Sequence, residues 1–126
     1  MTEFQQFIHL SRYARWIAHE KRRETWRETV KRYFDFFDNH IKELKSLQAN
    51  SSDVSAAITE LEAAVLNMED MPSMRCMATA GEALRRDNVA AYNCAAVKAN
   101  YIHCFDETLY ILMCGTGVGF SCERQF

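Results

Sequence analysis

Proline is nearly missing from this 126-residue sequence, and Pro72 is the only one. A proline disfavours the α region for the residue before it. Met71 is therefore biased toward extended backbone, and a helix arriving from upstream is expected to stop near Asp70. Long apolar runs are missing too: none approaches the roughly 20 residues of a membrane span, which speaks against a membrane partner. The first residues, Met1-Thr2-Glu3-Phe4, lack the basic and apolar stretches of a secretory signal. Neither sign of charge dominates. Fifteen Lys and Arg against 17 Asp and Glu leave a net charge of -2, which gives no general reason to expect direct contact with nucleic acid. The five cysteines are odd in number and show no paired short spacings. That argues against a secreted disulfide framework and for reduced thiols in a cytoplasmic protein.

What is present reads as an ordinary globular chain, 48% hydrophobic and 25% charged, long enough for one small domain or a segment of a larger one. Charge is uneven along it. Residues 1–50 hold ten Lys/Arg and seven Asp/Glu, whereas residues 51–126 hold five and ten. In the basic half, acids interleave with bases, as in Lys21-Arg22-Arg23-Glu24 and Arg27-Glu28, the pattern of a solvated, salt-bridged helix face.

The first two-thirds carries helical periodicity. Phe4, Phe7 and Ile8, then Trp16 and Ile17, fall near helical spacing in a first segment. Trp26, Val30, Tyr33, Phe37, Ile41 and Leu44 follow at steps of four, three, four, four and three, which places an aromatic-rich packing stripe on one helix face. A polar break at Gln48-Ala49-Asn50-Ser51-Ser52-Asp53 offers caps for a third helix, marked by Ile58, Leu61, Val65 and Leu66. After Pro72 the texture changes. Residues 79–88, around Gly81, read as a turn-rich connection, and Val89 to Val97 as a buried strand of small residues. Phe105 to Cys114 returns to helix, with Phe105, Leu109, Leu112 and Met113 on one face and Asp106 and Glu107 in the first turn, where the helix dipole favours acids. Three of the four glycines then fall within Gly115-Thr116-Gly117-Val118-Gly119, read as a turn that ends the helix and leads into a strand at Phe120-Ser121-Cys122.

Few residues carry chemistry on spacing alone. The glycine run follows a helix and precedes a strand, the reverse of the dinucleotide-binding order, and no Gly-Lys-Ser/Thr follows it. Two readings stay open. The glycines form a helix cap with a tight turn, or they let a substrate approach a backbone whose N–H groups bind its oxygens. Cys104, Cys114 and Cys122 lack the close ligand pairs of structural zinc, and no metal site is expected. Buried inert thiols are the default for Cys76, Cys104, Cys114 and Cys122. Cys94 differs, because small neighbours leave its sulfur room to meet a ligand. No Ser/His/Asp order or metal-carboxylate cluster stands out.

The strings Met71-Pro72-Ser73-Met74-Arg75, Thr79-Ala80-Gly81-Glu82-Ala83-Leu84-Arg85-Arg86-Asp87-Asn88-Val89-Ala90-Ala91-Tyr92-Asn93-Cys94, Phe105-Asp106-Glu107 and Tyr110-Ile111-Leu112-Met113-Cys114-Gly115-Thr116-Gly117-Val118-Gly119-Phe120-Ser121 resemble adenosylcobalamin-dependent (class II) ribonucleotide reductases. The monomeric ribonucleoside-triphosphate reductases are the nearest in kind. Ser11-Arg12-Tyr13-Ala14-Arg15-Trp16 and Arg22-Arg23-Glu24-x-Trp26-x-Glu28-Thr29-Val30-x-Arg32-Tyr33 resemble that family's N-terminal helices.

The resemblance implies a mainly α fragment: an N-terminal helical region over 1–70, then over 71–126 the first strand-helix unit of a ten-stranded α/β barrel. It implies that Cys94 is the N-terminal redox cysteine beneath the ribose, which helps protonate the departing 2′-hydroxyl and ends in a disulfide with a cysteine further along. The glycines Gly115, Gly117 and Gly119 match a loop lining the substrate pocket, and Asn93 is a candidate substrate contact. For the parent enzyme it implies adenosylcobalamin, a ribonucleotide substrate and a thioredoxin-type reductant. The thiyl-radical cysteine, the catalytic acid and the cobalamin surface have no counterpart in these residues. The expectation is a fragment inactive alone, truncated at its C-terminal side by a split or intein-interrupted gene or a partial reading frame, and needing the remaining reductase segment. It is expected to be aggregation-prone or loosely ordered after about residue 88. The competing class is a stand-alone helical interaction or regulatory protein derived from a reductase.

Overall fold

A computed structural model describes residues 1–44 and 51–122, and the side chains of all of these except 51 and 52. The chain divides into two compact units, Met1–Gly81 and Glu82–Phe126. Helix dominates, with two small sheets.

In the first unit, α1 (Glu3–Arg12) starts at a capping box. Gln5 N–H donates to the Thr2 hydroxyl, and Thr2 N–H donates to the Gln5 side chain at 2.7 Å, so two orphan donors of the first turn are satisfied reciprocally. The helix ends before Tyr13, and Trp16 and Ile17 do not continue it. They form β1 (Trp16–Ile17), paired antiparallel with β2 (Arg22–Arg23); Lys21 takes a positive φ of 52° in the connection. Phe4 and Phe7 are largely exposed, and the residue α1 buries is His9.

The longest helix, α2 (Trp26–Glu43), opens with a second capping box between Thr25 and Glu28. Its stripe is the expected one shifted by one residue at the centre. Val30 and Phe34 are buried, with Trp26 and Tyr33 packed beside them, while Leu44 lies exposed. Val65 from α3 (Ser51–Leu66) and Met77 from α4 (Met74–Thr79) complete this core, with Ile58 and Leu66 at its border. The Trp26 indole N–H donates to the Leu66 carbonyl at 3.2 Å, so the one polar atom of that ring is satisfied.

The cap expected from the polar break at 48–53 falls largely outside the described residues. Helix α3 stops at Leu66, four residues before Asp70, because Met68 adopts φ 63°. Met68 N–H then bonds the Val65 carbonyl at 3.0 Å and Glu69 N–H bonds Ala64 at 2.9 Å. This pair of bonds is a Schellman ending built without glycine. Residues 79–88, expected as a turn-rich connection, turn at Gly81 but also hold the end of α4 and the short helix α5 (Glu82–Arg86). Ser73 caps α4, accepting from Cys76 N–H. Between the two helices Gly81 has φ 114°, and a Cβ there would meet the Arg15 guanidinium at 3.1 Å.

In the second unit, Val89 is not the start of a strand. Asp87 accepts from Val89 N–H at 2.9 Å and caps a single 3-10 helix, Asn88–Ala91; this local side-chain bond diverts the apolar run from extended structure. The strand β3 is Cys94–Lys98. After α6 (Cys104–Met113) comes β4 (Gly117–Ser121), which pairs with β3 in parallel. Parallel neighbours need a crossover connection, and α6 supplies it, packing on both strands. Strand, helix and parallel strand make the barrel-type unit that the resemblance implied.

Candidate functional site

The register of β3 and β4 assembles the candidate residues. Cys94 pairs with Gly117, Ala95 with Val118 and Ala96 with Gly119. Side chains alternate between faces of a sheet, so Cys94, Ala96, Gly117 and Gly119 share one face. All four are exposed, whereas Ala95, Val97 and Val118 on the other face are half-buried. The thiol thus stands at one end of this face beside small residues and glycines, with Lys98 and Ser121 at the other end. Asn93 immediately precedes it: its carbonyl accepts from Gly117 N–H at 3.0 Å, and its side chain is exposed.

The five-residue glycine turn has to be corrected, because its glycines play two different parts. Only Gly115 lies in the turn, with φ 82°. Its N–H bonds the Leu112 carbonyl at 2.9 Å, and Thr116 N–H bonds Ile111 at 3.2 Å, closing α6 with a Schellman cap that favours glycine for its backbone freedom. Gly117 and Gly119 are strand residues without positive φ. A Cβ on either would sit 3.6 Å from the Asn93 carbonyl or 3.9 Å from the Ala95 carbonyl, ordinary contact distances. Neither backbone geometry nor packing within these residues demands glycine there. The open space they leave lies beside Cys94.

Three residues without an assigned role on the sequence brace this site. The Thr116 side chain, 1% exposed, bonds the carbonyls of Tyr92 at 2.8 Å and Val89 at 3.2 Å. The Tyr110 hydroxyl donates to Asp87. That bond holds the Asp87 carboxyl below its ordinary range, helped by Val89 N–H, and pushes the Tyr110 phenol up to about 12. A polar residue between glycines reads as loop on a sequence, and only the fold shows its side chain turned inward.

The other cysteines divide. Cys104 is buried as expected, but Cys76 and Cys114 are half-buried and Cys122 is exposed, because Cys122 follows the last residue of β4 rather than entering a core. No group of three or more His, Cys, Asp or Glu among the described residues could hold a metal ion. In the first unit, five of the six methionines, Met1, Met68, Met71, Met74 and Met77 among them with Trp26 alongside, line an apolar cleft of about 280 Å³. It offers little polar surface to orient a substrate. No helix among the described residues is long and apolar enough to cross a membrane.

The family model of the ribonucleotide reductase alpha domain matches residues 1–82. The chain belongs to the ribonucleotide reductase alpha-domain family. The matched region ends one residue past the first unit of this reductase segment. A crystal structure of a B-12 dependent (class II) ribonucleotide reductase shares its fold, with a TM-score of 0.75 at 23% identity over 94% of this chain. The match takes in 20% of that protein, so the reductase segment spans about a fifth of its relative's length. No curated protein matches it.

Proposed function

We propose that this chain is the N-terminal segment of a class II ribonucleotide reductase and that it presents Cys94 to the ribose of a ribonucleotide, a triphosphate in the first instance. The observation that carries the reading is the exposed Cys94 thiol paired with Gly117 on an open sheet face, where two glycines serve no need of the chain's own packing. A reductive thiol must be accessible to substrate and to its disulfide partner, and missing side chains let a sugar approach the backbone.

The chemistry asked of Cys94 is balanced as follows. Two thiols, Cys94 and a partner in the remaining reductase segment, give two electrons and two protons. The ribose C2′–OH bond is replaced by C2′–H, water leaves, and the thiols end as a disulfide, to be reduced by a thioredoxin-type protein. Adenosylcobalamin would supply the radical that starts the reaction in the parent enzyme. The residues around Cys94 are alanine and glycines, a set that would not hold a corrin, so none of them is assigned to it.

The test is reductase activity with this chain completed by the remaining reductase segment and adenosylcobalamin, comparing ribonucleoside di- and triphosphates. Turnover should appear only in the mixture. Cys94→Ser should lower multiple-turnover kcat by at least about a hundredfold, as expected for loss of a reacting group. Normal turnover with Cys94→Ser would refute the assignment. Tight association without any cobalamin-dependent turnover would favour the stand-alone interaction protein instead.

A further inference from the structure

The segment that delivers Cys94 is short, and the Thr116 hydroxyl holds two of its carbonyls. From Asp87 to Cys94 the chain runs through one 3-10 helix, the extended Tyr92 and a bend at Asn93. Its last carbonyls need partners, because a helix end leaves acceptors unsatisfied. The Val89 carbonyl accepts from Tyr92 N–H at 3.0 Å within the turn. Beyond that, both Val89 and Tyr92 carbonyls face a single group, the Thr116 hydroxyl, at 3.2 and 2.8 Å. One hydroxyl has one proton, so the two acceptors share it, with the shorter bond at Tyr92.

The neighbours of Thr116 fix where that hydroxyl sits. On one side, Gly115 and the Thr116 N–H close the end of α6. On the other, Gly117 N–H bonds the Asn93 carbonyl and Gly117 lies opposite Cys94 in the sheet. The consecutive carbonyls of Tyr92 and Asn93 are therefore held by the consecutive residues Thr116 and Gly117. Cys94 is the next residue along. Its backbone position is set in part by bonds from Thr116 and Gly117, and Thr116, 1% exposed, contributes its side chain to them.

We infer that Thr116 is a positioning residue for Cys94: its buried hydroxyl fixes the Tyr92–Asn93 backbone and so sets where the thiol meets the ribose. This rests on the reading of Cys94 as the reacting thiol. Thr116 touches no reacting atom and acts through Cys94. A serine would keep the hydroxyl. A valine would keep the shape and leave the Tyr92 carbonyl facing a methyl group, freeing the strand start to shift. Misplacement of a reacting group by about 1 Å can cost on the order of a hundredfold in rate.

Thr116→Val, Thr116→Ser and Cys94→Ser are compared in the reductase formed from this chain and the remaining segment. Thr116→Val should lower kcat by about tenfold to a hundredfold with KM within about twofold, and Thr116→Ser should recover kcat to within about threefold. In the chain alone, amide hydrogen exchange should quicken at Gly117 by about tenfold or more in the valine variant, with the Gly115 and Thr116 amides that cap α6 unchanged. The inference is overturned if Thr116→Val turns over like the parent while Cys94→Ser is inactive. It is equally overturned if serine is as impaired as valine, or if exchange quickens throughout α6, since both mark a general loss of structure. Full activity of Cys94→Ser would remove the premise, and Thr116 with it.

Discussion

Glu24 is a carboxylate only 7% exposed, and it survives there because every oxygen lone pair of consequence has a donor. Arg32 reaches it with two guanidinium nitrogens at 2.8 and 3.0 Å, the Arg15 N–H donates at 3.1 Å, and the Thr29 hydroxyl donates at 3.0 Å. Burial alone would raise the Glu24 pKa, but the bonds from Arg32, Arg15 and Thr29 outweigh it and hold the carboxyl below its ordinary 4.5. Since Thr29 spends its proton on a carboxylate, the His9 Nε2 atom, 2.9 Å from the same hydroxyl oxygen, must be the donor. His9 is 3% exposed, and burial lowers its pKa despite the attraction of Glu24, with Arg32 adding to the fall. Arg32 also grips the Met77 and Ala80 carbonyls at 3.1 and 2.8 Å, so the network ties the end of α4 to α2. The Lys21–Glu24 stretch is therefore not helical: Lys21 and Arg23 are exposed and Arg22 is ion-paired, but Glu24 is the centre of a buried cluster. Glu24→Ala should cost about 3 kcal/mol, because it leaves the largely buried Arg32 guanidinium without its carboxylate partner, measured by urea unfolding. The pH dependence follows from the two directions. Below His9's ordinary pKa of 6.5 the unfolded chain takes up a proton that the folded chain refuses, so stability falls as pH drops through that value toward the lower folded one. Glu24 adds a second loss as pH falls below 4.5 toward its own depressed value. Tm should drop between about pH 7.5 and about pH 5.5, and His9→Gln should flatten that part of the curve. An equally steep fall in the variant would discount His9 as the source.

At the scale of elements, the two Schellman endings show what glycine is for. Helix α6 ends on Gly115 at φ 82° and α3 on Met68 at φ 63°, the same bonds closing both. Gly115→Ala should destabilise the second unit by about 1 kcal/mol, the cost of forcing a side chain into the left-handed region. Gly117→Ala and Gly119→Ala have ordinary contact distances and no positive φ, so each should change stability by less than about 0.5 kcal/mol. The proposed site predicts that these two nevertheless lower reductase activity in the completed enzyme, Gly117→Ala the more, because a methyl there fills the space beside Cys94. Thermal melts and kcat/KM on the same three variants separate the roles; parallel losses of stability and activity at Gly117 would refute the division. The same contrast explains what could be read from the sequence. Helix α2 was legible because its apolar stripe repeats over several turns, and the end of α6 because Gly115 follows it, whereas the start of β4 at Gly117 was hidden by glycines that read as turn. The 3-10 helix Asn88–Ala91 was not, since an apolar Val-Ala-Ala run looks like strand until Asp87 is seen capping it. Nor was the β1–β2 pair, whose strands of two residues each are too short to show alternation. That Cys94 lies in a strand of small residues was legible; the inward turn of Thr116 was beyond any periodicity.

Across the whole molecule, the two units differ in how far they bury their own apolar groups. Met1–Gly81 has a core of Val30, Phe34, Val65 and Met77. In the second unit Cys104, Thr108 and Ile111 are the less exposed line of α6, and the stripe expected to pack, Phe105, Leu109, Leu112 and Met113, is 50% to 78% exposed. Phe120 on β4 is 73% exposed. A sheet of two parallel strands of five residues each is so small that it needs further strands or helices for stability of its own. The chain alone should therefore self-associate through this unit. Light scattering after size exclusion is expected to show species above the 14.6 kDa monomer that grow with concentration, and an environment-sensitive dye should bind the exposed apolar surface. Leu109→Lys combined with Met113→Lys places charge on the exposed side of α6 without touching the Val30–Phe34 core, so it should restore the monomer and leave unfolding of the first unit unchanged. A parent chain that stays monomeric at all concentrations and unfolds in one cooperative transition protecting Cys94 would show that the second unit is complete as it stands. A doubly charged variant that associates as strongly as the parent would move the sticky surface away from α6, to the sheet edges or to the exposed Phe4 and Phe7 of α1.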